Sequence, residues 1–187
     1  MKIYTRKGDD GTTGLLYGGR VPKTAPVIEA NGAVDEAQAA IGLARAEAPR
    51  GSELDELLAW LARDLWVLMA ELATAPENRG KLSPGASLVT QTMVSMLEAA
   101  IDDLTGRFSP ITEFVVPGQN RVAAALDVAR TVARRAERVV QAARLPSDSS
   151  VLPYLNRLSD LLWTMARWQE RGESLPSRRV GQVPTGG

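Results

Sequence analysis

The stretch ALDVARTVARRAERVVQAAR, residues 125–144, contains five arginines and not a single lysine. At 100° per residue, Asp127, Arg130, Arg134, Glu137 and Arg138 fall on one stripe. Ala125, Val128, Ala129, Val132, Ala136 and Val139 fall on the opposite face, with Arg135 near the border. That periodicity predicts an amphipathic helix with an apolar, small-residue face. A charged stripe of this kind reads most simply as a solvated face laced with i,i+3 and i,i+4 ion pairs. The exclusion of lysine opens a second reading, a fork of guanidiniums for a polyphosphate, with Asp127 and Glu137 holding their orientation.

Similar patterns extend outward on both sides. Residues 25–48 are Ala-rich and stop at Pro49 and Gly51. Ser52 starts a second helix, with Asp55 placed as an approximate capping box, and residues 76–80 break it. Ser83 and Pro84 fit an N-cap followed by proline at the first helical position, which predicts a third helix ending near Leu104. Residues 106–118 form a connection containing FVVPG (114–118). The fourth helix is expected from about Gln119 to Arg144, and the fifth from Ser150 to about Arg171. Along that fifth helix Asn156, Asp160, Trp163 and Arg167 share one stripe, opposite Leu155, Leu158, Leu162 and Met165. In the first helix Asn31, Asp35, Gln38 and Gly42 make a strip of polar and small residues, with Asp35 either an exposed acid or the partner of an arginine from the fourth helix. Five long helices with short connections and almost no strand signal predict an all-α, antiparallel five-helix bundle. We read residues 1–171 as one domain, in which a glycine-rich loop (1–24) precedes the bundle (25–171), and residues 172–187 as a mobile tail.

Composition narrows the chemistry. The 187 residues are 44% hydrophobic and 24% charged, with 22 Lys plus Arg against 22 Asp plus Glu, which gives no case for non-specific nucleic-acid binding. No apolar run reaches the length of a membrane span and residues 1–20 lack a signal peptide's apolar core, so a cytoplasmic location is expected. There is no Cys and no His. Disulfides, thiolate chemistry, the usual zinc sites and Ser-His-Asp triads are therefore excluded. Any catalysis must come from positioning, electrostatics or carboxylates.

The N-terminal stretch TRKGDDGTTG, residues 5–14, spaces glycines by three among Asp9, Asp10, Thr12 and Thr13, with Lys2, Arg6 and Lys7 adding positive charge. It is not a P-loop, because no Gly-Lys-Ser/Thr follows, and not a dinucleotide fingerprint, because Gly18, Gly19 and Pro22 follow in place of a helix. A backbone nest for phosphate and a simple turn cluster are the two readings it allows.

Six stretches together carry a resemblance: IYTRKGDDGTTGLLYGG (3–19), VPK ending at Lys23, EANGAVDEAQAAIG (29–42), FVVPG (114–118), ARTVARRAER (129–138) and YLNRLSDLL (154–162). In order and approximate spacing the chain resembles the ATP:cob(I)alamin adenosyltransferases of the propanediol-utilisation type. The resemblance implies a homotrimer with active sites between subunits, which transfers the 5′-deoxyadenosyl group of ATP to the cobalt of cob(I)alamin and releases triphosphate. It implies that Thr5, Arg6, Lys7, Gly8, Thr13, Gly14 and Lys23 line the nucleotide, joined by Arg134, Arg135, Glu137, Arg138 and Asn156. Arg130 matches the family's catalytic arginine, paired across the interface with the acid at Asp35. Phe114 matches the residue that packs beneath the corrin and displaces its lower axial ligand. No metal-ligating protein residues are expected; Mg²⁺ would be held mainly through the ATP phosphates. A reductase that supplies Co(I) and an adenosylcobalamin-dependent acceptor enzyme are the implied partners, with no nucleic acid and no membrane. Two departures stand out. Gln119 follows Gly118 where the family usually has a second glycine, and Asn31 replaces a common aromatic residue.

The residues also admit two other readings. One is a corrinoid or nucleotide carrier that binds without turnover; the other is a structural helical module whose arginine face is solvated or meets a protein partner.

Overall fold

In the computed structural model, residues 3–178 are described. Five helices dominate: α1 (Pro26–Glu47), α2 (Glu53–Leu72), α3 (Gln91–Thr105), α4 (Arg121–Gln141) and α5 (Val151–Gln169). Between them lie two small antiparallel ribbons. The first pairs β1 (Thr12–Gly14) with β2 (Arg20–Pro22); the second pairs β3 (Val115–Val116) with β4 (Leu175–Pro176). The expected all-α five-helix bundle is the observed architecture.

Each helix buries the stripe its spacing dictates. Ala30, Val34, Ala37, Ile41 and Ala44 of α1 recur at intervals of three and four and are fully buried. Facing them, α4 buries Ala125, Leu126, Ala129, Ala133, Ala136 and Val140. Alanine on both sides brings two helix axes close together, since the side chains at the contact set the interaxial distance. Leucines supply the bulk elsewhere, from Leu54 to Leu72 on α2 and from Leu155 to Leu162 on α5. Leu155, Leu158, Leu162 and Met165 are all buried, as their stripe requires.

Polar cross-links fix the register. Asn31 Nδ2 donates to the Met69 carbonyl at 2.8 Å, and Gln38 Nε2 to the Ala62 carbonyl at 2.6 Å. Seven residues separate the donors and seven the acceptors, so α1 and α2 run antiparallel with two rungs two turns apart. The ion pairs Arg135–Glu36 and Arg121–Glu47 align α4 antiparallel to α1, and Asn156–Glu137 and Arg167–Asp127 align α5 antiparallel to α4. Glu98–Arg157 and Arg107–Trp168 contacts set α3 parallel to α5, so consecutive helices alternate in direction. The β1–β2 hairpin sits at one end, with the starts of α1, α3 and α5 and the ends of α2 and α4; the connection carrying Phe114 sits at the other. The 21 residues of α4 put those ends about 30 Å apart at 1.5 Å per residue.

Four expectations need correction. The third helix begins at Gln91, capped by Thr90, whose side chain accepts from Met93 N at 3.2 Å. Ser83 instead heads a tight turn: its carbonyl accepts from the N–H groups of Ala86, Ser87 and Leu88, and Gly85 adopts φ +73°. Asp55 does not close a capping box onto Ser52 N. Ser52 Oγ does accept from Asp55 N, but Asp55 accepts from Gly51 N and Arg45 Nε. On α4 the apolar face is rotated from the expected one, leaving Val128 51% exposed while Asp127 is buried; on α5, Arg167 is buried as well. Those two charges neutralise each other, which periodicity alone does not register. Finally, residues 172–178 include β4 and are tied to β3; residues 179–187, the rest of the expected tail, and Lys2 lie outside the described residues.

Candidate active site

The N-terminal loop is held by its own bonds. Asp10 Oδ1 accepts from Thr12 N at 2.9 Å and from Thr12 Oγ1 at 2.8 Å, and these bonds, with the nearby Arg20 guanidinium, hold the Asp10 carboxyl below its ordinary range. Arg20 reaches across to Thr12 Oγ1 and to the Lys7 carbonyl. Lys23 N donates to the Gly11 carbonyl at 2.9 Å, where Gly11 takes φ +82°, a left-handed geometry suited to glycine. A Cβ on Gly8 would stand 3.1 Å from the Thr12 carbonyl and 3.3 Å from Lys23 Nζ, so only glycine lets the lysine lie over the loop without displacement. Thr13 and Gly14 pair with Val21 and Arg20, while Thr5, Arg6, Lys7 and Lys23 are exposed. The hairpin docks on the bundle through Leu16 N, which donates to the Ala73 carbonyl at 2.8 Å.

On the side of α4 facing solvent, Arg130, Arg134 and Arg138 follow one another at intervals of four. Arg130 Nε donates to Asp127 Oδ1 at 3.1 Å, and its two Nη atoms have no partner among the described residues. Arg138 Nη1 donates to the Arg134 carbonyl at 2.9 Å, and the Arg134 side chain has no hydrogen bond or ion pair among the described residues. Glu137 Oε1 accepts from Asn156 Nδ2 at 3.0 Å, so Asn156 joins this face through α4 and does not cap its own helix. Among the described residues the arrangement leaves the Nη groups of Arg130 and the whole Arg134 guanidinium without a partner and tethers the polar residues beside them, which suits an anionic ligand.

Arg135 stands apart from that row. Its guanidinium grips Glu36 of α1 at 2.7 and 2.5 Å, and this pairing holds the Glu36 carboxyl low and the Arg135 guanidinium high. Asp35, next door, is exposed and has no ion pair among the described residues. With Glu36 level with Arg135, Asp35 is level with Ala136, six residues and roughly 9 Å at 1.5 Å per residue from Arg130, and no ion pair joins the two among the described residues. No hydrogen bond or ion pair joins residues 5–14 to Arg134 or Arg138 among the described residues either.

At the far end, Phe114 is 85% exposed on the rim of a cavity of about 370 Å³, with Trp163 of α5 as another wall. The loop bearing it is fastened by β4, and Ser177 N donates to the Phe114 carbonyl at 2.7 Å. Gly118 takes φ +112°, Gln119 is exposed, and Asn120 then caps α4 by accepting from Ala123 N. Asn31 is remote from this end, committed to its rung on α2. Among the described residues no group of three or more acidic side chains gathers to hold a metal ion.

Residues 3–169 match the family model for cobalamin adenosyltransferase. The chain belongs to the cobalamin adenosyltransferase family. Among its relatives, the corrinoid adenosyltransferase PduO of Citrobacter freundii is 40% identical over 174 residues, an alignment covering 91% of this chain and 50% of that protein. The chain thus spans about half the length of that relative. The corrinoid adenosyltransferase of Mycobacterium tuberculosis is 42% identical over 170 residues, covering 89% of this chain and 87% of the relative. A solved structure of a variant PduO-type ATP:corrinoid adenosyltransferase from Lactobacillus reuteri, complexed with cobalamin and ATP, superposes with a TM-score of 0.83 at 31% identity, over 95% of this chain and 97% of that one.

Three features of the site escape sequence reasoning. Arg20 closes the N-terminal loop, Glu36 beside Asp35 is the acid of α1 that pairs with an arginine of α4, Arg135, and Ser177 pins the Phe114 backbone. Arg20 and Glu36 are ordinary surface charges by pattern, and a backbone donor such as Ser177 N carries no side-chain signal.

Proposed function

We propose that this chain transfers the 5′-deoxyadenosyl group of ATP to the cobalt of cob(I)alamin, forming adenosylcobalamin and triphosphate. The observation that carries the reading is the row of arginines on α4, in which the Nη groups of Arg130 and Arg134 have no partner among the described residues. In the reaction the Co(I) electron pair attacks C5′, the cobalt–carbon bond forms, and the C5′–O bond breaks with its electrons leaving on triphosphate. No proton is removed, so a chain without His or Cys lacks nothing the step requires. Thr5, Arg6, Lys7, Gly8, Thr13, Gly14 and Lys23 enclose the nucleotide, and Arg134, Arg135, Glu137, Arg138 and Asn156 line its other side. Arg130 stabilises charge developing on the leaving triphosphate. Mg²⁺ brought with ATP would supply further neutralisation there, held through phosphate oxygens and water.

Phe114 serves the other substrate. A phenyl ring has no lone pair for cobalt, so packing it beneath the corrin displaces the lower ligand and eases reduction of Co(II) by a one-electron reductase.

We infer a homotrimer with sites shared between neighbours. The support is geometric: among the described residues no hydrogen bond or ion pair joins loop and arginine row, and Asp35 is out of register with Arg130. Leu43 and Val128, 56% and 51% exposed, also stand level with each other between the Glu36–Arg135 and Glu47–Arg121 pairs, an apolar step on an outer face. Among the described residues no helix is long and apolar enough to cross a membrane; a cytoplasmic setting, with an adenosylcobalamin-dependent enzyme as recipient, is part of this proposal.

The test is anaerobic. Purified protein, chemically reduced cob(I)alamin and Mg-ATP are mixed, the visible spectrum is followed for the cobalt–carbon bond, and triphosphate is assayed. One triphosphate per adenosylcobalamin is expected. Binding of both ligands without product would make the protein a carrier, and no binding would leave a structural bundle.

A further inference from the structure

Beneath Arg130, α4 and α5 bury a row of charges. Asp127 uses its oxygens separately: Oδ1 accepts from Arg130 Nε at 3.1 Å and Oδ2 from Arg167 Nη2 at 2.5 Å. Arg167 is 2% exposed and Glu170 1%, and Nη2 lies 2.9 Å from Glu170 Oε1. Trp163 covers the guanidinium, its ring centroid 5.8 Å from Cζ. Glu170 Oε2 then accepts from Ser174 Oγ, four residues on in the strap that becomes β4. That strap pairs with β3, and Ser177 N holds the Phe114 carbonyl at 2.7 Å. A continuous route therefore runs from Arg130 through Asp127, Arg167, Glu170 and Ser174 to the backbone of Phe114.

The division of Asp127 matters for Arg130. A carboxylate offers lone pairs on both oxygens and readily takes an arginine through Nε and one Nη together. Arg167 occupies Oδ2, so Arg130 meets the carboxylate through Nε alone and both its Nη groups are without a partner among the described residues. With Arg167 gone, the freed oxygen would draw in an Nη of Arg130 and rotate the fork away from a ligand.

We propose that Arg167 is a positioning residue for the adenosyl transfer assigned above, on which the inference rests: it sets the guanidinium plane of Arg130 through Asp127 and the place of the Phe114 loop through Glu170 and the strap. The full-length variants Arg167→Lys and Arg167→Met test it. Nη2 of Arg167 alone stands between the two acids; lysine keeps the positive charge beside Asp127 but lacks the planar guanidinium that lies under Trp163 and fixes where that nitrogen sits. For folded Arg167→Lys, with prereduced cob(I)alamin, kcat should fall about tenfold or more while KM for ATP stays within about threefold. The Arg130 Nε–H signal in ¹⁵N NMR, assigned by its loss in Arg130→Lys, should exchange faster with solvent than in the parent protein. With cob(II)alamin and ATP, the fraction lacking the axial-nitrogen splitting in the EPR spectrum should shrink. Arg167→Met should move all three readouts further. Unchanged kcat with unchanged Arg130 Nε–H exchange would overturn the proposal, as would losses that track only the folded fraction. A parent protein without turnover would instead overturn the transferase reading, while the Nε–H exchange would still decide the positioning.

Discussion

Glu71 of α2 and Val89, eighteen residues on, meet in the interior: Oε2 accepts from Val89 N at 2.8 Å. The other oxygen accepts from Arg79 Nη1 at 2.9 Å and from Ser149 Oγ at 2.7 Å, and the carboxylate side chain has no solvent exposure. One buried acid thus ties the end of α2 to the turn before α3 and to the connection before α5. Glu71→Ala strands an N–H, a hydroxyl and an arginine together, and should cost about 3 kcal/mol of stability, read from urea unfolding. A loss below about 1 kcal/mol would mean that water replaces the acid.

Arg130→Ala should lower turnover with prereduced cob(I)alamin by about 10²-fold or more, the scale of removing a group aimed at developing charge. Its guanidinium is partly exposed, so the folded structure should persist by circular dichroism. Near-normal rates would reject a catalytic role.

Phe114→Ala should separate the two halves of the reaction. With Co(II) and a coupled reductase the rate should drop steeply, whereas prereduced cobalamin should be used with a much smaller loss. Because the ring is 85% exposed, unfolding free energy should change by no more than about 0.5 kcal/mol. Full activity in the coupled assay would remove Phe114 from the corrin face.

Ala133 faces α1 at zero exposure among other alanines. Ala133→Leu should overfill that contact and cost about 1–3 kcal/mol. Differential scanning calorimetry would show the lowered Tm.

Tyr154 is buried and its hydroxyl donates to Asp64 Oδ2 at 3.0 Å. Burial, then the Asp64 carboxylate, push the phenol well above its ordinary range, and burial likewise pushes Asp64 up. A phenol raised in the folded state contributes stability that is complete below its unfolded value of about 10 and is lost as pH rises beyond it. The parent protein should therefore exceed Tyr154→Phe by about 1 kcal/mol at pH 8, with the gap closing above about pH 10. A constant gap across that range in urea titrations would place the phenol in contact with solvent.

How much of this was legible in the sequence depends on the kind of signal. The alanine stripe on α1 and the leucines on α5 announce their burial through period alone, because apolar burial is a one-residue property. Arg167 does not: its interior place depends on Asp127 forty residues away and on Glu170, and a stripe diagram scores each charge singly. The start of α3 misled for a related reason. Ser83 and Pro84 carry a helix-start signature, yet Gly85 at φ +73° and the Ser87 hydroxyl, which accepts from Ser83 N, turn the chain back on itself. The loop and the arginine row were readable as chemistry; that no bond joins them among the described residues was not, because it follows from how the hairpin docks on the helix ends.

The rungs from Asn31 to Met69 and from Gln38 to Ala62 bear on how such chains can change length. Both segments span seven residues, two turns of helix, and each rung tolerates no axial slip. Adding or removing a residue between Asn31 and Gln38 would break one rung unless the same change arose between Ala62 and Met69. Insertions and deletions in these two segments should therefore be inherited only as matched pairs, while the connection between the helices is free to vary.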